Sequence, residues 1–157
     1  MLEFKHGNLL KEKTDAIVNT VNCVGVMGKG IALQFKQAFP DNFKQYKKAC
    51  DTGKVKPGEM FITPTGQLLN PRYIINFPTK RHWRSKSKLE DVQSGLNALV
   101  KDVQRLELKS IAIPPLGCGN GGLDWAVVKP LIIDAFAPLL DVHIVLFEPG
   151  GTPAADK

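Results

Sequence analysis

The fold of this chain is decided by one stretch of sequence, Ser110-Ile111-Ala112-Ile113-Pro114-Pro115-Leu116-Gly117-Cys118-Gly119-Asn120-Gly121-Gly122-Leu123-Asp124-Trp125. Its apolar first part predicts a buried strand, and the periodic segment from Trp125 to Leu140 predicts a helix. Between them, four glycines in the six positions 117–122 let the backbone N–H groups approach a ligand closely. Because the partial charge at a helix N-terminus is positive, this strand, loop and helix favour binding of a diphosphate.

A second strand, glycine loop and helix are predicted earlier in the chain. The segment 15–22 indicates a short strand that is apolar in its centre and polar at Asn19 and Asn22. It is followed by the loop 25–30 and by apolar residues at helical spacing over 31–39. One such loop alone would fit a tight connection equally well. Neither loop has the spacing of a Walker or dinucleotide-binding motif, so two loops facing one crevice favour a nucleotide diphosphate.

Strands and helices alternate along the rest of the chain. The pattern predicts strands at 2–6, 59–64, 72–77 and 142–147, and helices at 41–49 and 89–106. Such alternation predicts the α/β class, as a three-layer α/β/α sandwich around a central mixed, largely parallel sheet. Ligands of these sheets bind at the carboxyl ends of the strands, which is where both glycine loops are expected.

Length and composition fit one globular domain, with 157 residues, 43% hydrophobic and 23% charged. We expect the domain over 1–149, and a flexible tail that begins a linker over the Pro- and Gly-rich 150–157. No apolar run is long enough to cross a bilayer, and the first residues lack the layout of a signal peptide, which predicts a cytoplasmic protein. The cysteines, Cys23, Cys50 and Cys118, have no C-x-x-C pairing, so neither a disulfide framework nor a metal site is predicted.

The positive charge is concentrated in one segment, 80–88, which carries five basic residues and no acid in a chain of net charge +6. Trp83 lies within this basic segment. A solvated surface loop is one interpretation of such a run. The other is contact with single-stranded DNA, in which cations reach phosphates while an indole stacks on a base. The residues predicted to contact DNA are Arg81, Trp83, Arg84 and Lys86.

The motifs G-N-L-L, D-A-I-V-N-T-V-N, M-G-K-G-I-A and P-P-L-G-C-G-N-G-G-L follow one another in this order. In this order they resemble a macrodomain, the fold that binds ADP-ribose, and the resemblance covers essentially the whole chain. The lysine that ends N-F-P-T-K is similar to that of the terminal ADP-ribose glycohydrolases, in particular the antitoxin macrodomains that act on DNA. The resemblance implies an enzyme that removes ADP-ribose from thymidine bases in single-stranded DNA. It also implies a partner, a DNA ADP-ribosyltransferase toxin contacted through a C-terminal domain.

The resemblance further implies roles for individual residues. Lys80 is implied as the catalytic residue, and Asn22 as the residue that holds the distal ribose. Adenine is implied to lie against Asn8 and Leu9, beside Phe147. The remaining implied contacts to ADP-ribose are Asn19, Gly28, Lys29, Gly30, Ile31, Gly117, Cys118, Gly119, Asn120, Gly121 and Gly122. Two features depart from many macrodomains: an amide at position 8 where Asp is common, and no Asp within 119–122, where protein-directed relatives carry one.

The chemistry of a C–N glycosidic bond allows two uses of the lysine. The bond breaks through an oxocarbenium-like transition state, and the base leaves with negative charge. An ammonium at Lys80 can protonate or stabilise the departing thymine, or a neutral amine can attack the anomeric carbon. The sequence leaves both routes open, and neither requires a cofactor. Two other functions also fit: hydrolysis of ADP-ribose esters on protein carboxylates or of O-acetyl-ADP-ribose, and a non-catalytic reader that binds ADP-ribose.

Overall fold

The computed structural model describes residues 1–150, so positions 151–157 of the predicted tail lie outside the described residues. Within 1–150, six strands form one sheet: β1 (Leu2–Lys5), β2 (Ala16–Val21), β3 (Phe61–Pro64), β4 (Tyr73–Pro78), β5 (Ser110–Ile113) and β6 (His143–Phe147). Their order in the sheet is β1-β6-β5-β2-β4-β3, and every neighbouring pair is parallel except β3 and β4. The predicted mixed, largely parallel sheet is therefore confirmed.

Four α-helices cover the two faces of the sheet in the described part of the chain: α1 (Gly30–Ala38), α2 (Pro40–Asp51), α3 (Leu89–Arg105) and α4 (Trp125–Phe136). Alternate residues of each strand point to opposite faces, so Val18 packs in the cluster under α3 and α4 while Ile17 packs in the cluster that contains Phe35 of α1. This alternation produces the predicted three layers. None of these helices is long and apolar enough to cross a membrane.

Prolines account for two of the differences between predicted and observed helix boundaries. The helix α4 ends at Phe136 rather than at Leu140. Pro138 lacks the N–H that would continue the helical hydrogen bonding, which accounts for the earlier end. The helix α2 begins at Pro40 instead of after a cap at Asp41. Proline is well tolerated in the first helical turn, because the N–H group it lacks would have no partner inside the helix.

Candidate functional site

The two glycine loops meet at the carboxyl edge of the sheet. They follow β2 and β5, which are parallel neighbours, so both loops leave the sheet at the same end. A Cβ atom on Gly30, whose φ is +57°, would lie 3.6 Å from Nδ2 of Asn120 in the other loop. Between the loops lies a cleft of about 780 Å³. The predicted site residues that line it are Asn22, Gly28, Lys29, Gly30, Ile31, Lys80, Trp83, Arg84, Lys86, Gly117, Cys118, Gly119, Asn120 and Gly121.

A second cavity of about 480 Å³ adjoins the cleft. It is lined by the three residues expected at adenine, Asn8, Leu9 and Phe147. The two cavities share Ile31, Pro114 and Pro115, so they form one elongated groove along the edge of the sheet. The side-chain oxygen of Asn8 accepts a hydrogen bond from the backbone of Leu10 at 3.0 Å, which fixes the amide at the rim.

Asn22 and Lys80 lie on neighbouring chain segments just beyond the ends of β2 and β4. The N–H of Lys80 points to the carbonyl of Val21 at 3.4 Å, and the N–H of Cys23 donates to the carbonyl of Arg81 at 3.3 Å. The two segments thus continue side by side after the strands have ended. Residues 58 positions apart in the sequence are in this way brought to one wall of the cleft.

The amine of Lys80 lies in a cationic environment. Its Nζ donates to the carbonyl of Trp83 at 3.3 Å. Partial burial lowers the pKa of Lys80 from its ordinary value, and the positive charges of Lys29 and Lys86 lower this pKa further. Among the described residues that line the cleft, none is Asp, Glu or His. The cleft therefore presents cations and amides, and the neutral form of Lys80 is favoured relative to a solvated lysine.

The side chain of Asn22 is held by its own loop. Its Oδ1 accepts from the backbone N–H groups of Val24 and Val26 at 3.0 and 3.3 Å, and its Nδ2 donates to the carbonyl of Val26 at 2.7 Å. Asn22 is 7% exposed and lines the cleft. The amide is therefore pre-oriented toward the groove by the turn that follows β2.

In the basic segment, Arg81 lies away from the cleft, whereas Trp83 lines it. Arg81 does not line the cleft, because its Nε and Nη2 donate to the buried carboxylate of Asp91 on α3, each at 3.1 Å. The ring of Trp83 already packs against its own chain, with the ring of His82 at 5.5 Å between centroids and the guanidinium carbon of Arg84 4.5 Å from the centroid. Trp83 is still 42% exposed and lines the cleft, so its stacking on a base stays a prediction. In this structure, Arg81 anchors the segment and Arg84 covers the indole.

Two other predicted ligand contacts lie away from the groove walls. Asn19 is fully buried, and its Nδ2 donates to Oδ1 of Asn76 at 3.3 Å, so it belongs to a polar network inside the domain. Nothing in the sequence near Asn19 indicates this network, because Asn76 is 57 residues away. Gly122 lies just outside the cleft, where a Cβ would contact the side chain of Lys86 at 3.2 Å.

Ser87 is a residue of the site region that sequence reasoning missed. Its backbone N–H donates to the carbonyl of Gly121 at 2.9 Å, and its side chain is buried against the glycine loop. A serine inside a run of charges carries no signal of such packing. The hydrogen bond between Ser87 and Gly121 joins the basic segment and the glycine loop into one wall of the cleft.

The cysteines next to the cleft have environments that suppress thiolate formation. Burial raises the pKa of Cys118 to about 11, with a smaller contribution from the charge of Asp124. Burial is also the main cause that raises the pKa of Cys23 to about 11. The thiol of Cys118 points to the carbonyl of Leu116 at 3.6 Å. These values agree with the interpretation of both cysteines as small packing residues rather than nucleophiles.

The sequence matches the family model described as Macro domain over residues 18–132. A DNA ADP-ribosyl glycohydrolase of Thermus aquaticus is 54% identical over 155 residues, which cover 99% of this chain and 43% of the relative. The chain thus spans less than half the length of this curated relative.

Solved structures share the same fold. The macrodomain of Mycobacterium tuberculosis DarG matches with a TM-score of 0.94 at 53% identity, covering 96% of this chain and 99% of that chain. Thermosipho africanus DarTG in complex with ADP-ribose matches with a TM-score of 0.85 at 30% identity, covering 96% of this chain and 42% of that chain. The predicted three-layer α/β/α fold is confirmed by these matches.

Proposed function

This chain belongs to the macrodomain family, and we propose that it is an ADP-ribosyl glycohydrolase that removes ADP-ribose from thymidine bases in single-stranded DNA. One observation carries the proposal: Lys80 lies in a cleft whose charged lining is entirely cationic among the described residues. A reaction that expels a base as an anion is favoured in such surroundings. The name of the Thermus aquaticus relative, a DNA ADP-ribosyl glycohydrolase, supports the same reaction.

The shape of the groove supports ADP-ribose as the bound group. In the proposed complex, adenine lies in the smaller cavity beside Leu9 and Phe147. The diphosphate lies between the two glycine loops, where α1 begins at Gly30 and offers the positive end of its dipole. The distal ribose then reaches Asn22 and Lys80. The complex of Thermosipho africanus DarTG with ADP-ribose supports this choice of ligand.

The lining of the cleft favours the amine of Lys80 as a nucleophile. Direct attack by water would call for a general base, and no carboxylate or imidazole lines the cleft among the described residues. A neutral amine needs no such base, and lysines next to other cations are activated in this way. In the proposed step, the nitrogen of Lys80 bonds to the anomeric carbon of the distal ribose. The bond from that carbon to the ring nitrogen of thymine breaks, and thymine leaves with the electron pair and takes up a proton. Water then hydrolyses the lysine adduct and releases ADP-ribose.

Cations at the mouth of the cleft support a substrate with phosphates on both sides of the modified base. Lys29, Arg84 and Lys86 line the cleft beside Lys80. An acidic protein segment would also be attracted, but DNA offers several phosphates within reach of these side chains. In this proposal Arg84 and Lys86 contact the DNA backbone, while Arg81 supports the segment from behind.

The biological role proposed for the chain follows from its substrate. A macrodomain over residues 1–149 that repairs ADP-ribosylated DNA opposes a DNA ADP-ribosyltransferase toxin, which makes it the catalytic part of an antitoxin. We propose that contact with the toxin uses a separate C-terminal domain of the whole protein; the curated relative has room for a further domain, since the match covers 43% of its length. Such an enzyme acts where its DNA is, which we propose to be the cytoplasm.

The test uses two substrates and one variant. The chain is incubated with an oligonucleotide that carries ADP-ribose on thymidine and with protein that carries ADP-ribose on glutamate. We expect release of unmodified DNA by the wild type and no release by Lys80→Ala. Release from protein alone would indicate the ester hydrolase. Tight binding of ADP-ribose with no release from either substrate would indicate a reader and would contradict the proposed function.

A further inference from the structure

Tyr46 of α2 contacts Asn22 from outside the cleft. Its hydroxyl oxygen lies 2.8 Å from the side-chain oxygen of Asn22 and 2.8 Å from its backbone carbonyl oxygen. Tyr46 is fully buried and does not line the cleft. Burial raises its pKa far above the ordinary value, so the hydroxyl stays protonated and acts as a donor at any working pH. A buried hydroxyl is thus directed at a residue of the cleft wall.

The amide of Asn22 has almost no free hydrogen-bonding capacity. Its Oδ1 is within reach of three donors: the N–H groups of Val24 and Val26, and the hydroxyl of Tyr46. One hydrogen of its Nδ2 goes to the carbonyl of Val26. Within residues 1–150, the second Nδ2 hydrogen has no acceptor, and Asn22 lines the cleft. What Asn22 can offer a ligand is therefore one N–H group, which must meet a hydrogen-bond acceptor.

Tyr46 differs from the other hydrogen-bond partners of Asn22 because it belongs to a different element of the fold. Val24 and Val26 belong to the same turn as Asn22, so their hydrogen bonds fix the amide only relative to that turn. Tyr46 belongs to α2, and the turn rests on this helix at Gly25, where a Cβ would lie 3.4 Å from Cγ of Lys47. The hydroxyl of Tyr46 therefore ties the turn, and the amide with it, to the body of the domain.

We infer that Tyr46 is a positioning residue, which holds Asn22 so that a single N–H group faces the distal ribose of the substrate. The inference rests on the proposed function, because it assigns the acceptor to the ribose next to the scissile bond. A donor at this place binds a ribose hydroxyl through its oxygen and keeps the anomeric carbon near Lys80. The helix α2 thereby takes part in the reaction without touching the substrate.

The experiment replaces each of the chain's two tyrosines by phenylalanine. Tyr46→Phe keeps the ring and removes the hydroxyl. Tyr73→Phe is the matched control, because Tyr73 begins β4 at the opposite end from the cleft. We expect Tyr46→Phe to lower kcat between about tenfold and a hundredfold, while KM and the affinity for free ADP-ribose change little. Tyr73→Phe should leave kcat unchanged.

A double-mutant cycle separates positioning from general support of the fold. In an Asn22→Ala background, Tyr46→Phe should have little further effect on kcat, because the side chain that it positions is gone. An equal fall of kcat in both backgrounds would overturn the inference. Measurement of thermal unfolding in the same four proteins shows whether loss of stability alone accounts for the kinetics.

A measurement on the wild type tests the inference even if the variant does not fold. The hydroxyl proton of Tyr46 should exchange with water much more slowly than that of Tyr73 in nuclear magnetic resonance spectra. One Nδ2 hydrogen of Asn22 should shift when ADP-ribose binds, and the other should stay protected. Equally fast exchange of both tyrosine hydroxyls would contradict the positioning role, whether or not the chain hydrolyses modified DNA. Absence of hydrolysis with these signals present would contradict the proposed function instead.

Discussion

The backbone N–H of Ser87 donates to the carbonyl of Gly121 at 2.9 Å, and this hydrogen bond joins the basic segment to the glycine loop. The contact is close enough to exclude a side chain at position 121, since a Cβ there would overlap Oγ of Ser87 and the carbonyl of Gly117. Glycine is thus required at this position for packing. This hydrogen bond and the close packing hold the basic segment against the glycine loop.

Gly121→Ala is expected to destabilise the domain by about 1–3 kcal/mol, the usual cost of overpacking. The matched control is Gly119→Ala in the same loop, because a Cβ at Gly119 would meet nothing within 4 Å. Urea unfolding of both variants measures the difference. Equal stability of the two variants would contradict the packing role of Gly121.

Ser87→Ala is expected to keep or raise the free energy of unfolding. The Oγ of Ser87 is buried and has no hydrogen-bond partner among the described residues, and an unsatisfied buried hydroxyl costs about 1–3 kcal/mol. Thr63→Val provides the contrast, because the Thr63 hydroxyl is also buried but donates to Oδ1 of Asn42 at 2.8 Å. That variant should lose about 1 kcal/mol or more. Chemical denaturation of both proteins gives the comparison, and a larger loss in Ser87→Ala would show that its hydroxyl is bonded in solution.

Arg84→Gln and Arg81→Gln should affect DNA binding differently. Arg84 lines the cleft, so its loss should reduce the slope of log affinity against log salt by about 0.7, the value for one phosphate of single-stranded DNA. Arg81 is occupied by Asp91, so its loss should change stability more than the salt slope. Fluorescence anisotropy with modified oligonucleotide at several salt concentrations measures the slopes. An equal reduction in both variants would mean that Arg81 leaves Asp91 to contact DNA.

The sequence analysis predicted best those features that depend on interactions between residues close together in the chain. Strand, glycine loop and helix are adjacent in the chain, so glycine content and apolar periodicity were sufficient to place both loops at one edge of the sheet. The roles of Arg81, Asn19 and Tyr46 depend on partners 10, 57 and 24 residues away. Nothing in the sequence near these residues indicates those partners. From the sequence alone, a basic residue such as Arg81 or a polar residue in a strand such as Asn19 is therefore interpreted as a ligand contact.

Lys86→Gln should raise the pKa of Lys80, because it removes one of the positive charges that lower this pKa. If the neutral amine is the reactive form, activity increases with pH up to the pKa of Lys80, and the variant needs a higher pH to reach its maximum. Lys88→Gln is the control, because Lys88 does not line the cleft. The pH dependence of kcat under saturating oligonucleotide gives the apparent pKa of all three proteins. A limb that falls rather than rises with pH would indicate that Lys80 acts as an ammonium.

Reduction during turnover should trap ADP-ribose on Lys80. Attack by the amine on the anomeric carbon gives an adduct whose ribose ring can open to an imine, and borohydride reduces an imine to a stable secondary amine. Mass spectrometry of the wild type after reduction should therefore find ADP-ribose attached to the peptide that contains Lys80, with at least one unmodified DNA released for each adduct trapped. Lys80→Ala serves as the control for nonspecific glycation, because it removes the proposed nucleophile and keeps the neighbouring amines of Lys29 and Lys86. Full turnover without any trapped adduct would contradict nucleophilic attack and leave Lys80 as the cation that stabilises the departing thymine.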